Sequence, residues 1–174
     1  MLNSKPTNWS LEEWLTAVKR IKTLSCRKNS HWDAYYYNSK YDRYINIPVI
    51  LISSFISATA VSQTSSTEEE VDVTPYYVLT GLGAASTILT SINKYFAFAE
   101  AKEAHKQTAF NYLRLRCELV EMVESRDISG NCAIEYEEFN TCYFKNMTNI
   151  RENAPVLPKF IQKTMDEAAD KKIQ

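Results

Sequence analysis

The stretch with the clearest capacity for chemistry is DISGNCAIEYEEF, residues 127–139, whose donor spacing matches an EF-hand calcium loop. Asp127, Ser129, Asn131, the carbonyl of Ala133, Glu135 and Glu138 fall at the oxygen-donor positions, and Ile134 falls at the hydrophobic one. Against calcium, the position that needs glycine for a sharp turn holds Cys132, and Asp127 is the one strong carboxylate among the first five positions. The preferred reading is a loop whose acidic residues open the next helix, where the helix dipole favours them. A second acidic group, Glu68, Glu69, Glu70 and Asp72, stands in a segment with no Lys or Arg. At the mouth of a pore such a cluster would concentrate cations.

Hydroxyl groups form a third set. Ser53, Ser54, Ser57, Thr59 and Ser62 punctuate one apolar run, and Thr80, Ser86, Thr87, Thr90, Ser91 and Asn93 punctuate another. Small residues spaced along one face, such as Thr80, Ala84, Thr87 and Ser91 near Gly83, ordinarily mean close helix packing. Ser54, Ser57, Thr80, Thr87 and Ser91 could instead line a pore, provided several copies assemble, because one hairpin encloses no channel. Catalysis finds no candidate. The only histidines are His31 and His105, no Ser/His/Asp or Cys/His set can be assembled, and three glycines in the chain offer no phosphate cradle. Cys26, Cys117, Cys132 and Cys142 show no CxxC spacing and read as reduced thiols.

The elements that must position these groups are set by hydropathy. INIPVILISSFISATAV and YYVLTGLGAASTILTSI are uncharged runs of about 17 residues, each about 26 Å long as a helix, against a hydrocarbon core about 30 Å thick. They predict a transmembrane hairpin over 45–98 with an acidic outer loop at 63–75, a cytosolic segment at 1–44 and a cytosolic helical region at 99–174. Arg27, Lys28, Lys40 and Arg43 precede the first run, and Lys94, Lys102, Lys106, Arg114 and Arg116 follow the second, so the positive-inside bias puts both termini in the cytosol. The sequons at Asn8 and Asn146 fall on that side and would be silent. With no basic segment and apolar run at residues 1–10, the first apolar run serves as its own insertion signal. The 174-residue chain has a net charge of −1, which excludes nothing about partners by itself.

Ser10 and Glu13 form a capping-box pattern, after which Leu11, Trp14, Leu15, Val18, Ile21 and Leu24 recur at helical spacing. Trp32, Tyr35, Tyr36, Tyr37, Tyr41 and Tyr44 suggest an interfacial aromatic belt, with Tyr76, Tyr77, Tyr95 and Phe96 at the other membrane ends. Pro48 is placed in the first turn of the first membrane helix, where its missing donor costs least. No Gly or Pro intervenes from Gly83 to Gly130, which predicts one helix running from the membrane to about Ser125. On it Phe98, Ala101, His105, Thr108, Tyr112, Leu115, Leu119 and Met122 step by 3 and 4. His105, Tyr112, Leu115 and Leu119 thus mark an assembly seam, facing either the N-terminal helix of the same chain or other copies. A further helix is expected over 134–147, and a short one after Pro155 and Pro158.

The order of these elements, with AFAEAKEAHKQTAFNYLRLRCELVE on the long helix and NIRENAPVLPKF near the end, resembles the SLATT family of two-transmembrane proteins. Glu100, Ala104, His105, Ala109, Tyr112, Leu113, Pro155 and Pro158 are its local anchors. The resemblance implies a pore-forming effector without catalytic residues. The fold expected is therefore all-α: a two-transmembrane helical hairpin with an amphipathic N-terminal helix and a long second membrane helix continuing into a cytosolic bundle. The function expected is a homo-oligomeric pore in a lipid bilayer, passing ions and favouring cations, with no cofactor and no nucleic-acid partner. The alternatives are a membrane-anchored scaffold without conductance, and a calcium-responsive sensor using Asp127, Ser129, Asn131 and Glu138.

Overall fold

In the computed structural model the described residues are 6, 8–63, 74–125 and 131–162, with side chains at 60–63 and 74–75 outside the description. They are all-α, with α1 (Leu11–Gln63), α2 (Thr74–Phe96), α3 (Phe98–Glu124) and α4 (Tyr136–Asn153), and residues 159–162 are helical as expected after Pro158. The contacts divide into two units. Unit 1 comprises Met1–Tyr36 and Lys102–Gln174, and unit 2 comprises Tyr37–Ala101.

Unit 1 is built on a capped helix start. The Ser10 amide donates to Glu13 Oε2 at 2.7 Å and the Glu13 amide donates to Ser10 Oγ at 3.2 Å, so two donors that a helix N-terminus would leave unmade are satisfied reciprocally. Ala17, Ile21 and Leu24 then follow on one face and are buried, joining Tyr112, Leu115, Leu119 and Val123 of α3 and Phe139, Tyr143 and Met147 of α4 in one core. Leu11 and Leu15 do not join it. They are 62% and 58% exposed, because the buried stripe runs through 17, 21 and 24 and leaves these two on the outer face. Across α1 and α4, Arg20 donates to Asn140 Oδ1 and places its guanidinium 4.9 Å from the Tyr143 ring centroid and 4.8 Å from that of Phe144. Trp9 packs edge-on to Tyr136 and Phe139 at 5.3 and 5.6 Å. Its indole donates to the Ile134 carbonyl at 3.3 Å.

In unit 2, α1 and α2 run antiparallel. Tyr41 stacks on Phe98 at 5.6 Å, and Asn93 Nδ2 donates to Asn46 Oδ1 at 2.7 Å, so partner numbers fall on one side as they rise on the other. Asn46 in turn donates to Asp42 Oδ1 at 2.7 Å.

Three sequence expectations need correction. Pro48 lies deep inside α1, which is continuous from Leu11 to Gln63, rather than in a first turn. A proline there removes one backbone bond and crowds the carbonyl of Tyr44 at a cost of about 3 kcal/mol, which the 53-residue helix absorbs. The second long helix is not continuous either. Ala97 adopts φ 46°, a left-handed conformation that ends α2 and starts α3, although its amide still bonds the Asn93 carbonyl at 2.9 Å. Absence of Gly and Pro did not forbid the break, because alanine pays only about 1–2 kcal/mol for it. Finally, the helix expected over 134–147 is α4, which starts at Tyr136 and runs to Asn153.

Candidate functional site

The hydroxyl-bearing faces of unit 2 are built by the helix backbone itself. Ser57, Thr59, Thr80, Thr87, Thr90 and Ser91 each donate to the carbonyl four residues back at 2.8–2.9 Å. Each hydroxyl proton is thereby satisfied within its own helix. Ser54, Ser57, Thr80, Thr87 and Ser91 are all exposed in the single chain. Gly81 and Gly83 have nothing within 4 Å of where a Cβ would stand, so neither glycine of α2 marks a close helix approach among the described residues.

Around these hydroxyls the polarity of unit 2 is inverted. Ile47, Ile50, Leu51, Phe55, Val78 and Ile88 are each more than half exposed, whereas Asn38 and Asp42 are buried and Asn46 and Asn93 bond each other between the helices. Asn93 Oδ1 is also buried, with no hydrogen-bond partner among the described residues. A water-soluble hairpin distributes these groups the other way round. Of the aromatic belt, Tyr36, Tyr44, Tyr76, Tyr77 and Tyr95 are exposed, while Trp32 packs against Tyr35 and Phe110 at 5.4 Å. Among the described residues, no helix is long and apolar enough to cross a membrane. The serines and threonines lower the hydropathy of both runs, and the first run ends in residues 60–61, whose side chains lie outside the description.

The seam residues His105, Tyr112, Leu115 and Leu119 are all buried, in unit 1 of the same chain. His105 meets the other histidine: the two Nδ1 atoms are 3.0 Å apart and the ring centroids 5.2 Å apart, with Tyr112 5.6 Å from His31. One ring must donate and the other accept, which requires opposite tautomers when both are neutral. Burial, His105 and the Arg27 guanidinium together hold His31 down to about 4, and burial lowers His105. Sequence reasoning treated the two histidines separately. The signal for pairing was the stripe of α1: continued from Ala17, Ile21 and Leu24, it reaches His31 seven residues on.

The acidic cluster Glu68, Glu69, Glu70 and Asp72, like Asp127 and Ser129, lies outside the described residues. Asn131 and Glu138 are described, and Glu138 is exposed in the first turn of α4. Cys132, at the position an EF-hand gives to glycine, is buried. Its amide bonds Asn8 Oδ1 at 2.9 Å, its carbonyl accepts from Asn8 Nδ2 at 3.2 Å, and its thiol reaches the Met122 carbonyl at 3.1 Å. This residue thus ties the loop to the N-terminal segment. No group of three or more His, Cys, Asp or Glu side chains able to hold a metal occurs among the described residues. All four cysteines are thiols; burial, with Glu118 next in effect, pushes Cys142 up.

Among the described residues of unit 1, two cavities, both open to solvent, stand out. One, of about 420 Å³, is a groove along the end of α3 beside Arg116, Cys117 and Glu121. The other, of about 330 Å³, is walled by Arg27, His31, Tyr112, Arg151, Pro155 and Gln162. Compared with known proteins, the chain matches no family model, and neither curated proteins nor solved structures give a significant match.

Proposed function

We propose that the chain is a SLATT-like, homo-oligomeric membrane protein whose hairpin over residues 45–98 forms an ion pore in a lipid bilayer, with both termini cytosolic. The observation that carries this reading is the inverted polarity of unit 2, with Ile50, Leu51, Phe55 and Ile88 outside and Asp42, Asn46 and Asn93 inside. Apolar surface of that extent is covered either by lipid or by other copies, and a pore needs both. The back-bonded hydroxyls fit the same reading: a Ser or Thr whose proton is held by its own helix costs less to desolvate, so a run of modest hydropathy can still enter hydrocarbon. On assembly, Ser54, Ser57, Thr80, Thr87 and Ser91 supply outward-facing oxygens suited to permeating cations. Glu68, Glu69, Glu70 and Asp72 gather cations at the outer mouth.

A second reading is an oligomeric scaffold without conductance, in which copies alone cover the apolar surface. It is favoured by the absence, among the described residues, of a helix long and apolar enough to cross a membrane. Purified protein in planar bilayers separates the two. The pore predicts unitary currents, reduced in cation selectivity when Glu68, Glu69, Glu70 and Asp72 are replaced by Gln or Asn. Silence from protein whose oligomers are confirmed would leave the scaffold.

A further inference from the structure

The 330 Å³ cavity of unit 1 joins three helices and the segment after α4: Arg27 and His31 come from α1, Tyr112 from α3, Arg151 from α4, and Pro155 and Gln162 from beyond it. We propose that this cavity is a binding site for a small molecule bearing a phosphate or carboxylate group, which the Arg27 and Arg151 guanidinium groups hold.

Four observations support the assignment. Among the described residues the lining contains two guanidinium groups and a histidine but no Asp or Glu, so its described charge is unbalanced in favour of an anion. Arg27 Nε is buried and has no hydrogen-bond partner, and neither Arg27 nor Arg151 makes an ion pair among the described residues. Guanidinium groups without an internal acceptor keep donors available for an oxyanion. The two guanidinium groups differ usefully in exposure: Arg27 is half-buried in the wall, while Arg151 is exposed, where an incoming ion meets it first. The guanidinium fork fits a planar pair of oxygens, which suits carboxylate and phosphate alike. Finally, the volume falls at the small end of ligand sites, enough for an anionic group on a compact organic body.

Among the described residues, no group of the chain neutralises this charge. Gln162 spends its amide N–H on the Leu157 carbonyl at 2.9 Å, and His31 spends Nδ1 on His105. His31 therefore contributes a ring wall, together with Tyr112, rather than a competing acceptor at Nδ1. Because α4 ends at Asn153 and its last turn presents carbonyls, selectivity for anions rests on the arginines and not on a helix dipole.

The test is titration calorimetry on the full-length protein in detergent, at physiological chloride, with inorganic phosphate and with citrate as separate probes. Saturable binding is expected for at least one of them. Arg151→Gln, which alters an exposed side chain, and Arg27→Gln should each weaken it about 10-fold or more, as expected for one charge-assisted contact. Circular dichroism and the melting temperature check that each variant is folded. Tighter binding of phosphate identifies the site as one for phosphorylated molecules, and tighter binding of citrate as one for carboxylates. Failure of both probes to saturate at concentrations on the order of 10 mM, well above a millimolar dissociation constant, would overturn the proposal. So would binding that folded Arg27→Gln and Arg151→Gln leave unchanged.

Discussion

Acidification should loosen unit 1 through the buried histidine pair. His31 is 4% exposed, and its proton affinity is held from the ordinary 6.5 down to about 4, by burial first, then by His105 and Arg27. A histidine whose folded value is depressed stabilises the fold fully above its unfolded pKa, and that contribution is lost as pH falls from 6.5 toward 4. The full span corresponds to about 3 kcal/mol, of which about 2 kcal/mol is lost between about pH 7 and pH 5. His105, lowered by its own burial, adds in the same direction. Of the cationic groups lining the same cavity, Arg27 and Arg151, it is Arg27 whose charge contributes to that lowering. The assay is urea unfolding followed by tryptophan fluorescence, since all three tryptophans, Trp9, Trp14 and Trp32, belong to unit 1. His31→Gln, which cannot titrate in this range, should show a loss smaller than the wild type by about 2 kcal/mol over the same interval. Equal pH slopes for wild type and His31→Gln would refute the reasoning.

Other substitutions probe the fold. Leu119→Ala, at a fully buried position in the seam of α3, should destabilise unit 1 by about 2–5 kcal/mol in the same urea assay. Ser10→Ala removes one half of the capping box and should cost about 1 kcal/mol, with loss of amide protection confined to the first turn of α1 by hydrogen exchange. Ala97→Gly relieves the left-handed strain between α2 and α3 and should raise the melting temperature, by up to about 1 kcal/mol of stability, where glycine inside a regular helix would lower it.

Local rules were legible in the sequence, and long-range pairings were not. The capping box was readable because its two bonds join residues three apart. The seam of α3 was readable because 3-and-4 spacing reports burial whatever the partner. What covered it was not readable: periodicity cannot distinguish α1 and α4 of the same chain from a second copy. The break at Ala97 escaped for a physical reason. Nothing in an alanine announces a positive φ, and its cost is small enough for tertiary packing to impose. Pro48 misled in the opposite sense, because a long helix absorbs a penalty that usually marks a boundary. The Arg27 and Arg151 cavity brings together residues more than a hundred positions apart, and no spacing rule reaches that far.

The claim that unit 2 lives in lipid is tested most directly by spin labels on its apolar face. In protein lacking its native cysteines and reconstituted in vesicles, nitroxides at Leu51→Cys and Ile88→Cys should collide more with oxygen, which concentrates in hydrocarbon, than with a water-soluble nickel chelate. Greater collision with the nickel chelate at both positions would place that face in water and contradict the account.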